Sequence, residues 1–417
     1  MTSESTGTIT PVLPPAPRAG IDFESLPWNL NEPEAHKYIH VTTTAGDWTS
    51  EHYDASSDTG LILTEVKPYA ATPLDLYPST TSLNYGTTIW EGLKCYRTAS
   101  GRAAVFRPDK NHARFSNGAY AMCLPPPSYE LFMRGVQAAV MENKDLIPPF
   151  GDGMKLYIRP MLLGSGQQLG LHPSPRISLL FYVSPTGNYF KGKSAGLNLH
   201  LETIKSRAAR GGMGAVKCSG NYGSTLRPLA NAKKQGFDDN IYLELDSYQK
   251  GQLDKALLQE LSAANIFLVL KTGEIVTPSL DRGTILPGVT RDSVLALAKE
   301  YSEELKAAMI ESTGDDSVNV TISERDVTVG ELRNATEVFI TGTAAELVPL
   351  ASIATGENEE EFITKFPHGA TLPGGPVTAK LLSILREIMY GTRSCKMTEG
   401  WLKDPLASPE DFRTGSM

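Results

Sequence analysis

The stretch GAVKCSGNYG, residues 214–223, places Lys217 among glycines and small apolar side chains. Such surroundings withdraw water from the ammonium group and disfavour its charged form, so the pKa of this lysine is expected to fall. A neutral amine is what Schiff-base chemistry requires. A lysine beside glycines is also typical of an ordinary loop, so these ten residues alone leave both interpretations open.

Two later segments indicate a phosphorylated ligand. Residues 286–291, LPGVTR, predict a turn into an amphipathic helix, whose first amides and the hydroxyl of Thr290 would form an anion site. Residues 338–345, VFITGTAA, predict a strand that ends in small residues, whose accessible amides would form a second anion site. Each segment alone also fits a helix cap or a tight turn. Together with Lys217 they favour a binding site for a phosphorylated molecule.

A phosphate-loop pattern, GNYFKGKS, also occurs at residues 187–194, directly after an apolar strand. A working phosphate loop leads into a helix whose amides and dipole face the phosphates. Residues 195–201, AGLNLHL, instead alternate between apolar and polar side chains as a strand does. We therefore interpret the pattern as part of a connector, and a phosphate-loop nucleotidase is kept only as an outside alternative.

Six motifs carry a resemblance to a known family. They are SLNYG (82–86), WEGLK (90–94), YIRP (157–160), Lys217 with SGNYG (219–223), LPGVTR (286–291) and GTAAE (342–346). In this order they resemble the class IV aminotransferases of the branched-chain type, and the match extends from about residue 25 to about residue 400. The YIR sequence and the chain length favour this group over D-amino-acid transaminases, R-selective amine transaminases and aminodeoxychorismate lyases.

The resemblance implies a mixed α/β (α+β) chain of fold type IV, with a smaller N-terminal domain, a larger C-terminal domain and the cofactor in the cleft between them. A length of 417 residues with 41% hydrophobic and 21% charged residues is sufficient for two domains with separate cores. Four prolines lie between residues 11 and 17, and residues 184–196 contain one proline and three glycines. We therefore expect a flexible arm at 1–24, a small domain at 25–184, a connector at 185–196 and a large domain at 197–417.

The resemblance also implies pyridoxal 5'-phosphate as cofactor and assigns residues to it. Lys217 would hold the cofactor covalently and then act as the general base and acid of the proton shift. Tyr222 would bond the phenolic oxygen of the cofactor. Glu260 would face the pyridine nitrogen and keep it protonated, so that the ring withdraws electrons. The phosphate would be bound by Arg114, Val289, Thr290 and Thr343.

For the substrate, the resemblance places the amides of Ala344 and Ala345 at the α-carboxylate. Arg159 would accept the distal carboxylate of glutamate, because a guanidinium can hold a carboxylate through two hydrogen bonds. The aromatic residues expected to line the side-chain pocket are Tyr85, Trp90, Tyr157 and Tyr189.

Several positions depart from the family pattern. Trp28 and Trp90 stand where phenylalanine is usual, Ala263 replaces a threonine, and Ser219 replaces a glycine. The segment before Glu260 is longer than in the family, and the Cys-x-x-Cys pair of some mammalian members has no counterpart. These departures change the shape of the pocket and not the cofactor chemistry. They are compatible with a specialised amino donor.

Composition excludes several other classes. With 39 basic and 47 acidic residues the net charge is −8, which argues against binding duplex nucleic acid. No apolar run approaches the roughly 18–20 residues of a membrane span. The first twenty residues resemble neither a secretory signal nor a clear mitochondrial presequence, so we expect a cytoplasmic protein, with a mitochondrial location as the alternative. The four cysteines are far apart, and no metal site is expected.

The sequence therefore predicts transamination between a hydrophobic, branched-chain-type L-amino acid and 2-oxoglutarate, giving the 2-oxo acid and L-glutamate. The alternative within the fold is a transaminase of an unusual amino acid, a D-amino acid or an R-amine. A protein that binds pyridoxal phosphate without turnover is a further alternative, which the set of Lys217, Glu260, Tyr222 and Arg114 disfavours. Family resemblance implies a homodimer, with the loop Gly164–Leu171 reaching the neighbouring active site.

Overall fold

The computed structural model describes residues 12–43, 61–151, 153–187, 194–356 and 362–415, and it shows a mixed α/β fold built on two sheets. In chain order the strands are β1 (Lys37–Thr43), β2 (Leu61–Pro68), β3 (Thr88–Trp90), β4 (Leu93–Arg97), β5 (Ala103–Phe106), β6 (Lys155–Gly164), β7 (Ile177–Thr186), β8 (Leu197–Glu202), β9 (Asp239–Glu244), β10 (Leu257–Leu261), β11 (Asn265–Leu270), β12 (Glu274–Pro278), β13 (Thr321–Arg325), β14 (Ala335–Gly342), β15 (Glu346–Ala354), β16 (Ile363–Lys365) and β17 (Leu402–Lys403).

Nine helices lie in the same described ranges. They are α1 (Thr81–Tyr85), α2 (Pro108–Ala121), α3 (Tyr129–Met141), α4 (Ser219–Gly223), α5 (Leu226–Lys234), α6 (Val289–Glu300), α7 (Ser302–Thr313), α8 (Pro376–Met389) and α9 (Pro409–Thr414). Within these ranges, no helix has both the length and the apolar character needed to span a membrane.

The first sheet runs in the order β17, β5, β4, β6, β7, β1, β2, and β3 also pairs with β6. Strands β6 and β7 pair without a register shift along their whole length, from Lys155 opposite Thr186 onwards. Alternate residues of a strand point to the same face. Lys155, Tyr157 and Arg159 of β6 therefore lie side by side on one face of this sheet.

The second sheet runs in the order β10, β9, β8, β15, β14, β11, β12, β13, with β16 on β15. It combines parallel pairs, such as β8 with β9 and with β15, and antiparallel ones. Strands β14 and β15 form a hairpin in which Gly342 pairs with Glu346. Strand β11 lies beside β14, with Asn265 opposite Thr341. The turn at 343–345 and the start of β11 therefore lie at the same end of this sheet.

Helices cover both sheets and bury their apolar faces on them. Helices α2 and α3 pack on the first sheet, where Phe115 and Phe132 belong to one buried cluster with Phe181 of β7. Helices α6, α7 and α8 pack on the second sheet, in the cluster that contains Val294 and Leu385. Ser128 caps α3 as its sequence predicts, since its hydroxyl accepts from the amide of Leu131.

The apolar spacing of the sequence predicts one helix from about Ser224 to Gln235 and another over 291–307. The first is confirmed as α5, which begins at Leu226 after a two-residue gap that separates it from α4. Pro228 explains the gap, because proline has no amide to donate and its ring clashes with the carbonyl four residues earlier. The helix expected over 291–307 divides at Tyr301 into α6 and α7. The apolar spacing continues through this bend, so the pattern does not reveal it.

The last part of the described chain returns to the first sheet. Leu402 of β17 pairs with Phe106 of β5, and Phe412 of α9 joins the buried cluster of Phe132.

The predicted boundary between the domains falls between β7 and β8, and residues 188–193 of the predicted connector lie outside the described ranges. The division into two domains stays a prediction.

Candidate active site

A pocket between the two sheets brings together residues from distant parts of the chain. Eleven of the residues predicted for the site line it, namely Trp90, Arg114, Tyr157, Arg159, Lys217, Tyr222, Glu260, Val289, Thr290, Thr343 and Ala344. Trp28 and Ala263, two of the positions that depart from the family pattern, line it as well.

The amine of Lys217 lies on aromatic rings at the centre of this arrangement. Lys217 Nζ is 3.7 Å from the ring centroid of Trp90 and donates to the hydroxyl oxygen of Tyr222 at 2.9 Å. Burial lowers the pKa of the ammonium to about 7, and the nearby guanidinium of Arg114 acts in the same direction. A large fraction of this side chain is therefore neutral near pH 7, as attack on an aldehyde requires.

Strand β3 fixes the backbone around Lys217. The amide of Trp90 donates to the carbonyl of Lys217 at 3.2 Å, and Ile89 forms an isolated bridge with Cys218. Cys218 is buried, and α4 begins directly after it. The small residues of the quoted stretch thus allow the chain to lie against β3, and this contact directs the lysine into the pocket.

Glu260 lies on β10 with 2% of its surface exposed and has three partners at its carboxylate. Arg207 Nη1 is 2.8 Å from Oε1, the amide of Leu286 donates to Oε1 at 2.9 Å, and Asn265 Nδ2 donates to Oε2 at 2.7 Å. Burial raises the pKa of Glu260 to about 7, although Arg207 and the Leu286 amide oppose the rise. The carboxylate is thus a buried acceptor, able to hold a protonated ring nitrogen.

Helix α6 presents its N-terminus to the pocket. It begins at Val289 after Gly288, and no side chain caps its first amides. A side chain at Gly288 would place its Cβ 2.1 Å from Asn265 Oδ1, so glycine is required for this close approach to β11. An uncapped helix N-terminus with a hydroxyl at Thr290 is a suitable site for a phosphate group.

Arg114 of α2 is held beside this N-terminus by a buried carboxylate. Its Nε and Nη2 donate to the two oxygens of Glu91 at 2.7 and 2.8 Å, and its Nη1 donates to the carbonyl of Pro287 at 3.0 Å. Burial disfavours the guanidinium, but Glu91 outweighs it and raises the pKa of Arg114. Glu91 is fully buried and also accepts from Asn111. The sequence interpretation did not assign Glu91, although it lies inside the WEGLK motif.

The donor and acceptor groups of the pocket fit pyridoxal phosphate. The partly neutral amine of Lys217 suits an aldehyde, and the buried carboxylate of Glu260 suits a protonated ring nitrogen. The amides at the start of α6, together with Arg114, suit a phosphate. Within the described residues, no group of three side chains has the composition and geometry of a metal site.

Aromatic rings and one guanidinium form the wall across from the second sheet. The guanidinium carbon of Arg159 lies 4.0 Å from the Trp90 ring centroid, and Arg159 Nε donates to the Tyr157 hydroxyl at 3.0 Å. The ring of Trp28 meets Tyr157 edge-on, with centroids 5.0 Å apart. Because its guanidinium lies over the Trp90 ring, Arg159 is held at one wall of the pocket. From there it borders the space that a substrate side chain would enter.

Two predicted substrate residues do not line the pocket, and a third lies outside the described part of the chain. Tyr85 is 37% exposed and its hydroxyl donates to the carbonyl of Leu169, so it lies at the surface. Ala345 is buried but does not line the pocket. Tyr189 and residues 188–193 of the phosphate-loop pattern lie outside the described part of the chain.

Arg207, the partner of Glu260, was not predicted from the sequence, because no motif near it marks it as a site residue.

Comparison with known proteins agrees with this geometry. Residues 89–353 match the family described as Amino-transferase class IV. The chain is 44% identical over 280 residues to the chloroplastic branched-chain-amino-acid aminotransferase 5 of Arabidopsis thaliana, an alignment that covers 67% of this chain and 61% of that protein. It is 36% identical over 386 residues to the chloroplastic aminotransferase 2 of the same plant and family, covering 93% and 86%.

A solved structure gives the same result for the fold. The branched-chain amino acid aminotransferase from Thermobaculum terrenum, determined in its PLP form, superposes with a TM-score of 0.63. The superposition covers 81% of this chain and 95% of that one, at 22% sequence identity. At this identity the likeness concerns the fold, and it places the chain described above in the same architecture.

Proposed function

Because the chain belongs to the class IV aminotransferases, we propose that it transfers the amino group of a hydrophobic, branched-chain-type L-amino acid to 2-oxoglutarate, giving the 2-oxo acid and L-glutamate. The observation that carries the proposal is the buried amine of Lys217, with its lowered pKa, in a pocket shared with Glu260 and the N-terminus of α6. The two plant relatives have branched-chain-amino-acid aminotransferase in their names.

Each cofactor-facing residue has a separate task in this proposal. When bound, pyridoxal phosphate supplies a ring that withdraws electrons from the substrate α-carbon. Lys217 would attach the cofactor and move the proton at that carbon, while Tyr222 orients the lysine amine through their hydrogen bond. Glu260 would accept a hydrogen bond from the ring nitrogen, and Arg114 would hold the phosphate with the help of Val289, Thr290 and Thr343.

The substrate side of the pocket must accept two chemically different side chains in turn. Trp28, Trp90 and Tyr157 offer apolar surface to an aliphatic side chain. Arg159 offers a charge to the distal carboxylate of glutamate, and its stacking on Trp90 places that charge within the apolar wall. The amide of Ala344, at the turn after β14, is proposed to bind the α-carboxylate that both substrates share.

The direct test is a panel of amino donors with 2-oxoglutarate as the acceptor, in which glutamate formation is measured. Leucine, isoleucine and valine are expected to be the best donors. A preference for an unusual amino acid, a D-amino acid or an R-amine would favour the alternative, a specialised donor. That alternative has a structural basis, since Trp28 and Ala263 both line the pocket. No glutamate from any donor would contradict the proposal.

The variant Arg159→Ala is expected to raise the KM for glutamate about tenfold or more while the KM for leucine changes little, because only glutamate loses a charge-assisted hydrogen bond. Steady-state kinetics in both directions measure this difference. The control is Arg134→Ala, which removes an exposed arginine of α3 outside the pocket and is expected to change neither KM. Equal increases for the two substrates would contradict the role of Arg159.

We further propose a homodimer, from the apolar surface around Tyr85. Leu169 and Leu171 are 84% and 80% exposed, and Leu83 on α1 is 62% exposed. Such a group of large apolar side chains is typical of an interface. Sedimentation is expected to give twice the mass of one chain, and Leu169→Asp is expected to halve it. Tyr120→Asp, at an equally exposed ring on α2, should leave the mass unchanged.

Halving by both substitutions, or by neither, would contradict this interface. In that case the partner's loop Gly164–Leu171 would not reach the active site, and the arrangement that the family resemblance implies would be wrong.

The cytoplasmic location also stays a proposal. Fractionation of the cells, followed by detection of the protein in each fraction, tests it.

A further inference from the structure

A buried cluster of charges lies behind the turn that joins β14 and β15. Its members are Lys94, Tyr96, Lys155, Glu346 and Arg386, and we call it the Glu346 cluster. Arg386 Nε donates to Glu346 Oε2 at 2.8 Å, and the Tyr96 hydroxyl donates to Oε1 at 3.3 Å. Lys94 Nζ and Lys155 Nζ each lie 3.7 Å from Oε1. Three of the four charged groups, Lys94, Lys155 and Glu346, are at least nine-tenths buried.

Glu346 holds the end of the turn in an unusual conformation. Its φ of 61° lies in the left-handed region, which costs a residue with a Cβ about 1 kcal/mol or more. The carboxylate is 1% exposed and is surrounded by the cations of the cluster. Lys155 and Lys94 keep the pKa of Glu346 at about 2 although burial acts in the opposite direction. The ionised carboxylate thus fixes this end of the turn.

Lys155 contacts the turn a second time. Its Nζ donates to the carbonyl of Ala344 at 2.7 Å, within the turn whose Thr343 and Ala344 line the pocket. The same Nζ lies 5.9 Å from the ring centroid of Trp28, which also lines the pocket. Lys155 is itself 1% exposed and does not line the pocket. It therefore acts through other residues, and it joins the turn to the aromatic wall.

Lys94 provides a natural comparison within the cluster. It lies at the same distance from Glu346 Oε1 as Lys155 does, and it is similarly buried. Its Nζ is 5.5 Å from the ring centroid of Tyr96, whereas the hydrogen bond to the Ala344 carbonyl is made by Lys155. Burial lowers the pKa of both lysines, and that of Lys94 falls to about 7. The two residues share the charge environment and differ in the contact with the turn.

We propose that Lys155 is a positioning residue for the substrate α-carboxylate: by holding the carbonyl of Ala344 and the carboxylate of Glu346, it fixes the turn so that its amides face the pocket. When the carbonyl of Ala344 is held from behind, the backbone of the turn, including the amide of Ala344, is kept in one orientation. Pre-ordered donors bind an anion without a cost of reorganisation. The inference rests on the proposed function, in which this turn binds the carboxylate common to both substrates.

The test compares Lys155→Met with Lys94→Met in the holoenzyme. Each change removes a buried amine and keeps a side chain of similar length. The probes are 4-methylpentanoate and its neutral analogue 4-methylpentanamide, whose affinities are measured as competitive inhibition constants against leucine. Lys155→Met is expected to weaken binding of the carboxylate about tenfold and to leave the amide unchanged, because the lost interaction supports the binding of a charged group. Lys94→Met is expected to change the affinity for either probe by less than about twofold, because the hydrogen bond that holds the Ala344 carbonyl is made by Lys155 and stays in place.

The kinetic constants provide a second readout that a general loss of structure would not give. In Lys155→Met the KM for leucine and for 2-oxoglutarate should rise together, since both have an α-carboxylate, while kcat falls less than threefold. Lys155→Gln, whose amide can still donate to Ala344, should retain most of the affinity for the carboxylate, and it serves as the test if the methionine variant does not fold.

Three results would overturn the inference. They are equal weakening of both probes, equal effects of Lys155→Met and Lys94→Met, and a loss in Lys155→Gln as large as in Lys155→Met. A failure of the proposed function looks different, because the wild-type enzyme would then bind 4-methylpentanoate no better than the amide.

Discussion

Replacing Lys217 by alanine is expected to lower the rate of transamination by about 10⁴-fold or more, because one amine attaches the cofactor and moves the proton at the substrate α-carbon. The amine is well placed for both tasks: it is 2.9 Å from the Tyr222 hydroxyl and its pKa is lowered to about 7. Proton transfer by a positioned side chain alone contributes about 10²- to 10⁴-fold. Glutamate formation from leucine and 2-oxoglutarate, measured with excess cofactor, gives the loss.

Lys205→Ala is the matched control for this substitution. Lys205 is an exposed lysine twelve positions earlier, outside the pocket, and its loss is expected to leave the rate unchanged. The cofactor absorbance of the Lys217 variant should also change, since the covalent link is absent. A Lys217→Ala protein with a rate within tenfold of wild type would show that another group carries out the proton transfer.

The variant Glu260→Gln is expected to lower kcat about 100-fold with little change in KM. Glutamine keeps the size of the side chain and removes the negative charge that would stabilise a protonated ring nitrogen, an interaction of about 1.5–3 kcal/mol for a charged hydrogen bond. The effect on kcat is large because Glu260 is buried. The protein interior screens the charge of its carboxylate much less than water would. Single-turnover kinetics, which separate the chemical step from binding, are the appropriate measurement.

Glu244→Gln tests whether any buried glutamate of this sheet would have the same effect. Glu244 of β9 is 3% exposed and accepts from Gln259 and Thr284, but it does not line the pocket. Its substitution is expected to affect stability more than kcat. Similar losses of kcat in the two variants would contradict the special role of Glu260 at the cofactor.

Local patterns predicted many elements of the fold, and the reasons differ from one element to another. The antiparallel pair β11 and β12 was marked by two apolar runs around a Thr-Gly turn, and the start of α3 by Ser128. These signals lie within a few residues of the element they define. The bend at Tyr301 has no such signal, because both helices use the same apolar spacing and only their packing on α8 separates them.

The sequence predicted the site residues that are marked by their own neighbours, but it did not predict several others. Lys217 and Thr290 were marked by their own neighbours. Glu91, Arg207 and Lys155 act through partners that are far away in sequence, for example 189 positions in the pair of Lys155 and Ala344. A single sequence contains no information about such pairs. Tyr85 was assigned to the pocket by resemblance, and it lies instead on the surface that we propose as the dimer interface.

The return of the chain to the first sheet has a consequence for the order in which the protein can fold. Edge strand β17 pairs with β5, and Asp404 beside it bonds Arg102, which lies 302 positions earlier. A contact over such a separation closes a very long loop and forms late. During synthesis, the first half of the protein therefore has an unpaired strand edge until almost the whole chain has left the ribosome. Completion of the first sheet therefore follows synthesis of the second, and until then the free edge of β5 is of the kind that promotes aggregation.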